Sequence, residues 1–290
     1  MAWIVRGRSL NWGEQTYVMG VLNVTPDSFS DGGEFNRLET AIAHAQYLVN
    51  QGVDVLDIGG QSTRPGSPQI SLDEELNRVI PVIETLRELP EPYGTIPVSI
   101  DTMRSEIATA AVEAGADWVN DISGGDFDEQ MLATVAQLGV PIILMHMRGT
   151  PETMQQLTDY EDLIGEIVAV LEEKIQKALK AGIQEIIIDP GIGFAKTYEQ
   201  NLEILRQIPR LRELGCPVLI GPSRKSFIGH ILNQPDPKQR VWGTAAACCA
   251  AISGGADLMR VHDLPQMVEV CRVADAIYRP GNRQYPFNSP

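Results

Sequence analysis

Short apolar runs in this sequence end, one after another, in polar residues: Asn23, Asp57, Asp101, Asn120 with Asp121, His146, Asp189, Ser223 with Lys225, and Arg260 with His262. A carboxylate only accepts hydrogen bonds, an ammonium or guanidinium only donates them, and an amide does both. The set can therefore act as an acidic cradle beside a cationic clamp. Any one of these residues could cap a helix or bond to loop backbone. A polar group closing a buried apolar run needs a partner, however, and eight such ends facing one mouth argue for a ligand site. Arg260 and His262 lie two apart on one strand and face the same side. No Ser–His–Asp or Cys–His pattern is present, so no covalent nucleophile is expected.

The elements that must position these residues repeat. The runs are VMGVLN (18–23), VDVLDIG (53–59), PVSID (97–101), DWVND (117–121), PIILMH (141–146), EIIIDP (185–190), PVLIGPS (217–223) and LMRVHD (258–263). They read as parallel strands buried on both faces. Six follow a glycine, Gly52, Gly115, Gly139, Gly182, Gly215 or Gly255, suited to ending a helix at positive φ. Successive units average about 34 residues, and a strand, crossover helix and two loops take roughly 30. Helix-period stripes lie between the strands. They are Leu38, Ala41, Ala45, Leu48 and Val49; then Leu72, Leu76, Val79, Ile80 and Ile83; then Ile164, Ile167, Val168, Leu171, Ile175 and Ala178. Ser71 with Glu74 is a capping-box pattern, and Pro81 is expected to kink or split its helix. Eight such units predict an α/β fold, a single (β/α)8 TIM barrel, with the site at the C-terminal ends of the strands. An open doubly wound sheet would normally open with a glycine fingerprint after its first strand, which is missing.

The segment before the barrel (Trp3 to Val5, Asn11 to Gly13, Tyr17) reads as a β-hairpin capping the barrel bottom. One domain over 1–290 is expected, with the barrel proper at 17–278 and a Pro/Asn-rich tail at 281–290. Lys and Arg number 23 against 38 Asp and Glu, a net charge of −15, which argues against nucleic-acid or anionic-membrane binding. No run is long enough for a membrane helix, and the start is too polar for a secretory signal. Cys216, Cys248, Cys249 and Cys271 form no CxxC pair and read as reduced core thiols, so the expected compartment is the cytoplasm. Two loops at the barrel mouth, NVTPDSFSDGG (23–33) and GGQSTRPGS (59–67), have the composition of segments that close over a substrate.

Seven segments, MGVLNVTPDSFSDGG, GGQSTRPG, SIDT (99–102), NDISGG (120–125), DPGIGFAK (189–196), GPSRKSFIG (221–229) and RVHD (260–263), together resemble the dihydropteroate synthase family, in its order, across residues 17 to 278. Gln61 stands where the family commonly has Glu, which puts any role for a charge there in doubt. A pterin-binding methyltransferase barrel would share the strand-end Asp and Asn, but not the TPDSFSDGG and STRPG loops or RVHD.

The resemblance implies transfer of the 7,8-dihydropterin-6-ylmethyl group from its diphosphate to 4-aminobenzoate, with release of pyrophosphate. It implies that Asp101, Asn120 and Asp189 line a pterin pocket and that Lys225 donates to the carbonyl side. Analogues without the matching edge would lose about 10⁴-fold. Arg260 and His262 would grip the diphosphate. Thr63, Arg64, Pro65, Phe194 and Ser223, with Lys225, would form the aminobenzoate site, with Phe29 helping to cover it. Asn23 resembles the family's Mg2+ contact. One amide oxygen cannot hold the ion alone, so weak binding without diphosphate is expected. The implied mechanism is SN1-like, with Asp101, Lys225, Arg260 and His262 as catalytic residues. The resemblance also implies a homodimer through the last helices, for which residues 245–251 offer a small-residue face.

Overall fold

The computed structural model describes residues 2–25, 34–62 and 69–279, with residues 34–37 given by their backbone alone. Phe29, Thr63, Arg64, Pro65 and the tail at 281–290 lie outside the described residues. The expected barrel is present. Its strands are β3 (Tyr17–Asn23), β4 (Val55–Gly59), β5 (Val98–Asp101), β6 (Trp118–Asp121), β7 (Ile142–Met145), β8 (Ile186–Asp189), β9 (Leu219–Ile220) and β10 (Leu258–Val261). All pair in parallel, in the order β8-β7-β6-β5-β4-β3-β10-β9, and the Ile188–Val218 bridge joins the two ends. Helices α1 (Glu34–Asn50), α2 (Leu72–Glu88), α3 (Ser105–Glu113), α4 (Met131–Leu138), α5 (Leu163–Ala181), α6 (Tyr198–Arg206), α7 (Ile208–Arg212), α8 (Ser226–Ile231), α9 (Val241–Ser253) and α10 (Leu264–Tyr278) surround it. All six predicted helix-ending glycines have positive φ, between 66° and 114°.

The stripes pack as read, except that Leu38 and Val168 are only half-buried and three residues differ on α2. Its buried line runs through Glu75, Val79, Val82, Ile83 and Leu86, while Leu72, Leu76 and Ile80 are half-buried at its edge. Pro81 does not split α2, which continues to Glu88. The carbonyl that loses its partner belongs to Asn77 on the exposed face, where water can satisfy it. Ser71 accepts from the Glu74 N–H at 3.2 Å, but the Glu74 side chain turns to Arg78, so only half of the capping box forms. On α9, Ala245, Ala247, Cys248 and Ala251 are buried against the chain's own core, while Ala246 and Ala250 are exposed. All four cysteines are free thiols.

The N-terminal hairpin pairs β1 (Ala2–Val5) with β2 (Arg8–Asn11), so its second strand starts earlier than expected. Trp3, Val5, Leu10 and Trp12 pack with Tyr17, Met19, Val55, Trp118, Ile143, Ile187, Leu219 and Leu258 from the strand starts. This aromatic plug closes the bottom of the barrel. Trp118 meets Trp3 edge-on at 6.4 Å between ring centroids. We expect Trp118→Ala to destabilise the fold by about 3–5 kcal/mol in urea unfolding, because a fully buried indole leaves a large cavity.

Candidate active site

Side chains alternate between the inside and the outside of a strand. The inward series that forms the plug continues upward to Asp57, Asp101, Asn120, Asp189 and Arg260. Register ties the upper ring together: Asn23 pairs with Gly59, Gly59 with Asp101, and Asp101 with Asn120. The lower interior is apolar and the upper interior polar, so the strand ends form a lined hollow.

Arg260 is the hub of that hollow. From β10 it reaches past β3, donating through Nε to Asp57 Oδ2 at 2.6 Å and through Nη2 to Asp101 Oδ2 at 2.7 Å. Asn120 Nδ2 donates to the same Asp57 carboxylate, at 3.2 Å to Oδ2. Burial works against the guanidinium charge, but Asp57 and Asp101 outweigh it and raise the pKa of Arg260 above the ordinary arginine value. Burial also pushes Asp101 up, against the pull of Arg260. Among the described residues, one oxygen of Asp101 and one of Asn120 carry no protein hydrogen bond.

Two loops complete the ring. At the end of β8, Asp189 Oδ1 accepts from the N–H of Gly191 in the following loop at 2.7 Å, and burial raises Asp189 to about 6. After β9, Lys225 places its Nζ 4.2 Å from the centroid of the Phe194 ring, a cation–π contact. Burial, with Arg260 adding to it, lowers Lys225 to about 8. The His262 N–H donates to Ser223 Oγ at 3.2 Å, and His262 Nδ1 lies 3.0 Å from the same oxygen. Arg224, at φ 61°, is pinned by Asp263, by Thr244 Oγ1 and through its carbonyl by Arg240, which fixes the turn that presents Ser223 and Lys225.

Two strand-end residues do not face the hollow. Asp121 follows inward-facing Asn120 and points outward, accepting from Ser123 N–H, Ser123 hydroxyl and Gly125 N–H to shape its own turn. His146 follows Met145 and also turns away, toward Lys196. Arg260 is spent largely on the two aspartates, so only its remaining N–H donors are available to an anion. Spacing also passed over Ile122, Met145, Met154, Met103 and Met147, which form an apolar wall with the expected Phe194. The inward parity of Met145 was the available signal for it. Glu75 is buried and accepts from the Thr102 hydroxyl at 2.7 Å and from Arg104 at 2.9 Å, while Arg104 also donates to the Ile70 carbonyl at 2.6 Å. Gln61 accepts from the Ile70 N–H at 2.9 Å and donates to the Ser62 carbonyl at 3.1 Å, bridging both ends of the second loop. That second bond needs an amide donor, which a carboxylate lacks.

Asn23 ends β3, half-buried at the rim. Among the described residues no group of three or more His, Cys, Asp or Glu could hold a metal ion. The donor set there fits a hard cation only as one oxygen among several, the others coming from a ligand and water.

The model of the pterin binding enzyme family matches residues 19–262. A dihydropteroate synthase of Synechocystis sp. is 59% identical over 271 residues, covering 93% of this chain and 92% of that protein. A solved structure of Xanthomonas albilineans dihydropteroate synthase with 4-aminobenzoic acid superposes with a TM-score of 0.87 at 43% identity, over 95% of this chain and 97% of the other. Another, of the same organism's enzyme in complex with 7,8-dihydropteroate, gives 0.85 at 41% identity, over 96% and 98%.

A carboxylate accepts N–H bonds fully only when ionised. Affinity for a pterin should therefore hold above about pH 6 and fall as the pH drops through that value, as Asp189 takes up its proton. Calorimetric titration with a pterin between pH 5 and 8 checks this, and a flat profile would remove Asp189 from recognition.

Proposed function

The chain belongs to the pterin binding enzyme family, and from that we propose that it is a dihydropteroate synthase, joining 7,8-dihydropterin-6-ylmethyl diphosphate to 4-aminobenzoate with release of pyrophosphate in folate biosynthesis. The observation that carries this reading is the single hollow in which Arg260 binds Asp57 and Asp101 while Asp189 from the end of β8, and Lys225 and Phe194 from adjoining loops, face it. The flat 2-amino-4-oxo edge of a dihydropterin offers several N–H donors. Asp101, Asn120 and Asp189 each keep an acceptor for it, and Lys225 donates to its carbonyl side. The Met and Ile wall supplies the apolar faces for a planar ring.

The chemistry follows from what these groups can do. The methylene carbon–oxygen bond breaks, and its electron pair leaves with the diphosphate. The arylamine nitrogen, already neutral near pH 7, supplies the pair for the new carbon–nitrogen bond and then loses a proton to solvent. No strong base is required. The buried acceptors orient the pterin, whose ring electrons stabilise the developing methylene cation. The outward N–H groups of Arg260, with His262 beside them, receive the negative charge on the leaving group. Catalysis is then orientation together with electrostatic stabilisation. Ser223, Lys225 and Phe194, with Thr63, Arg64 and Pro65 from the second loop, are assigned to the aminobenzoate. Magnesium, when bound, would neutralise diphosphate charge; Asn23 would contribute its amide oxygen, and the diphosphate and water the rest.

The assembly is assigned as a homodimer through α9 and α10. Its support is the outward set Trp242, Val273, Ile277 and Tyr278, with Trp242 at 77% exposure. The cytosol is the assigned compartment, consistent with four free thiols and with no helix long and apolar enough to cross a membrane among the described residues.

Incubation with the pterin diphosphate should release pyrophosphate in step with dihydropteroate only when 4-aminobenzoate is present. Absence of coupled release in purified protein would overturn the reading. Asp101→Asn or Lys225→Ala should lower kcat/KM by about 10²-fold or more with the fold retained, the scale of losing a positioned polar group in a buried site. Excess chelator should abolish turnover, and activity persisting in it would remove magnesium from the scheme. In sedimentation, Ile277→Glu with Val273→Glu should convert dimer to monomer; a dimer surviving both changes would move the interface elsewhere.

A further inference from the structure

Lys196 and His146 form a buried pair behind the loop that carries Phe194. Lys196 is 3% exposed and His146 fully buried. Lys196 Nζ donates to the Phe194 carbonyl at 2.8 Å and lies 3.1 Å from His146 Nδ1. Burial, with Lys196, Lys174 and Arg148 adding to it, pushes His146 down to about 2, so the imidazole is neutral and Nδ1 is an acceptor for the lysine. Burial lowers Lys196 to about 7. A neutral amine donates the same two bonds as an ammonium, so this geometry holds in either protonation state.

The segment between Gly191 and Lys196 has little freedom otherwise. A Cβ on Gly191 would lie 2.1 Å from the His146 carbonyl oxygen, and one on Gly193 would lie 2.9 Å from Lys225 Cδ. The loop is thus pressed between His146 on one side and Lys225 on the other. Its neighbouring groups have their own anchors: Gly193 N–H donates to Asn201 Oδ1 at 2.6 Å, and the Ala195 carbonyl accepts from the Tyr160 hydroxyl at 3.0 Å. The Phe194 carbonyl is held by Lys196. Ala195 sits at φ 50°, a left-handed conformation that a non-glycine residue keeps only when its surroundings impose it. A buried lysine is a costly way to hold one carbonyl, and what that carbonyl fixes is the ring facing Lys225 at 4.2 Å.

We propose that Lys196, backed by His146, is a positioning residue for the aminobenzoate slot, which sets the Phe194 ring against the Lys225 ammonium through the Phe194 carbonyl. This rests on the assignment of Phe194 to that slot. Lys196→Met keeps the bulk and removes both donors. It should raise the KM for 4-aminobenzoate about tenfold while the KM for the pterin diphosphate stays within about twofold, the pattern of lost binding at one substrate. His146→Leu, which takes away the lysine's second partner, should shift the same KM in the same direction and decides the question if Lys196→Met does not fold. Phe194→Leu should reproduce the selective defect, and the Lys196→Met/Phe194→Leu double variant should be no worse than the more impaired single one, because the two act as one unit. A lower unfolding temperature with the ratio of the two KM values unchanged, or both substrates weakening together, would overturn the proposal. Wild-type turnover is measured alongside: its absence would sink the dihydropteroate synthase reading, whereas normal wild-type turnover with no selective defect in the variants sinks this inference alone.

Discussion

One guanidinium holds the open end of this barrel together. Arg260 joins β10 to β4 and β5 through two carboxylates, one of which also takes the amide of Asn120 on β6. Two aspartates so close would repel each other in an apolar wall. The shared cation makes the arrangement tolerable, and the fixed fork of its N–H groups sets where both carboxylates point. Removing one partner of a buried pair typically costs about 3–5 kcal/mol, because the other charge is left without compensation. The acidic cradle therefore depends on the arginine before any ligand arrives, and the cationic clamp expected for an anion is already half engaged in building the site. An anion at the mouth meets only the outward edge of that group.

The architecture was legible because a (β/α)8 barrel writes its period into the chain. Eight Val/Ile/Leu runs and six pre-strand glycines recur at nearly even spacing, and each becomes the element expected of it. The hollow was legible for the same reason, since the site of such a barrel lies where strands end. Inward Asp101, Asn120, Asp189 and Arg260 could be read from sequence because each sits at the polar close of an apolar run.

What escaped the sequence was orientation and partnership. Asn120 and Asp121 are adjacent at the end of one run and similar in chemistry, yet strand parity sends one into the hollow and the other to its own turn. Asp57 stood in the list of strand ends without a role, because nothing local says that a residue some two hundred positions later will bind it. Glu75 and Lys174 occupy inner faces of amphipathic helices, where a hydrophobic pattern predicts no charge. Their partners, Thr102 and Arg104 for one and Asp126 for the other, come from neighbouring loops. Pro81 was a local rule overruled by tertiary packing: the helix on both sides of it is held against the sheet by Val79, Val82, Ile83 and Leu86.

The raised carboxylates give the site an energetic asymmetry. Asp189 moves from 3.8 in its ordinary state to about 6 in the fold, so the folded protein holds that proton more tightly than the unfolded chain. Its contribution favours folding below pH 3.8, declines as the pH rises from there through 6, and above that leaves the empty fold less stable by about 3 kcal/mol than an unshifted carboxylate would. At neutral pH the protein thus carries an ionised acceptor that is incompletely solvated. A ligand that donates N–H bonds to it relieves the strain that burial imposes, whereas a ligand of the same shape with an acceptor in that place would add a second unpaired group. Discrimination by the hollow then comes as much from the unfavourable empty state as from any attraction in the filled one. Arg260 sets how far this can go, because its charge works against the rise that burial imposes on Asp101 and so favours the acceptor-only form of that carboxylate.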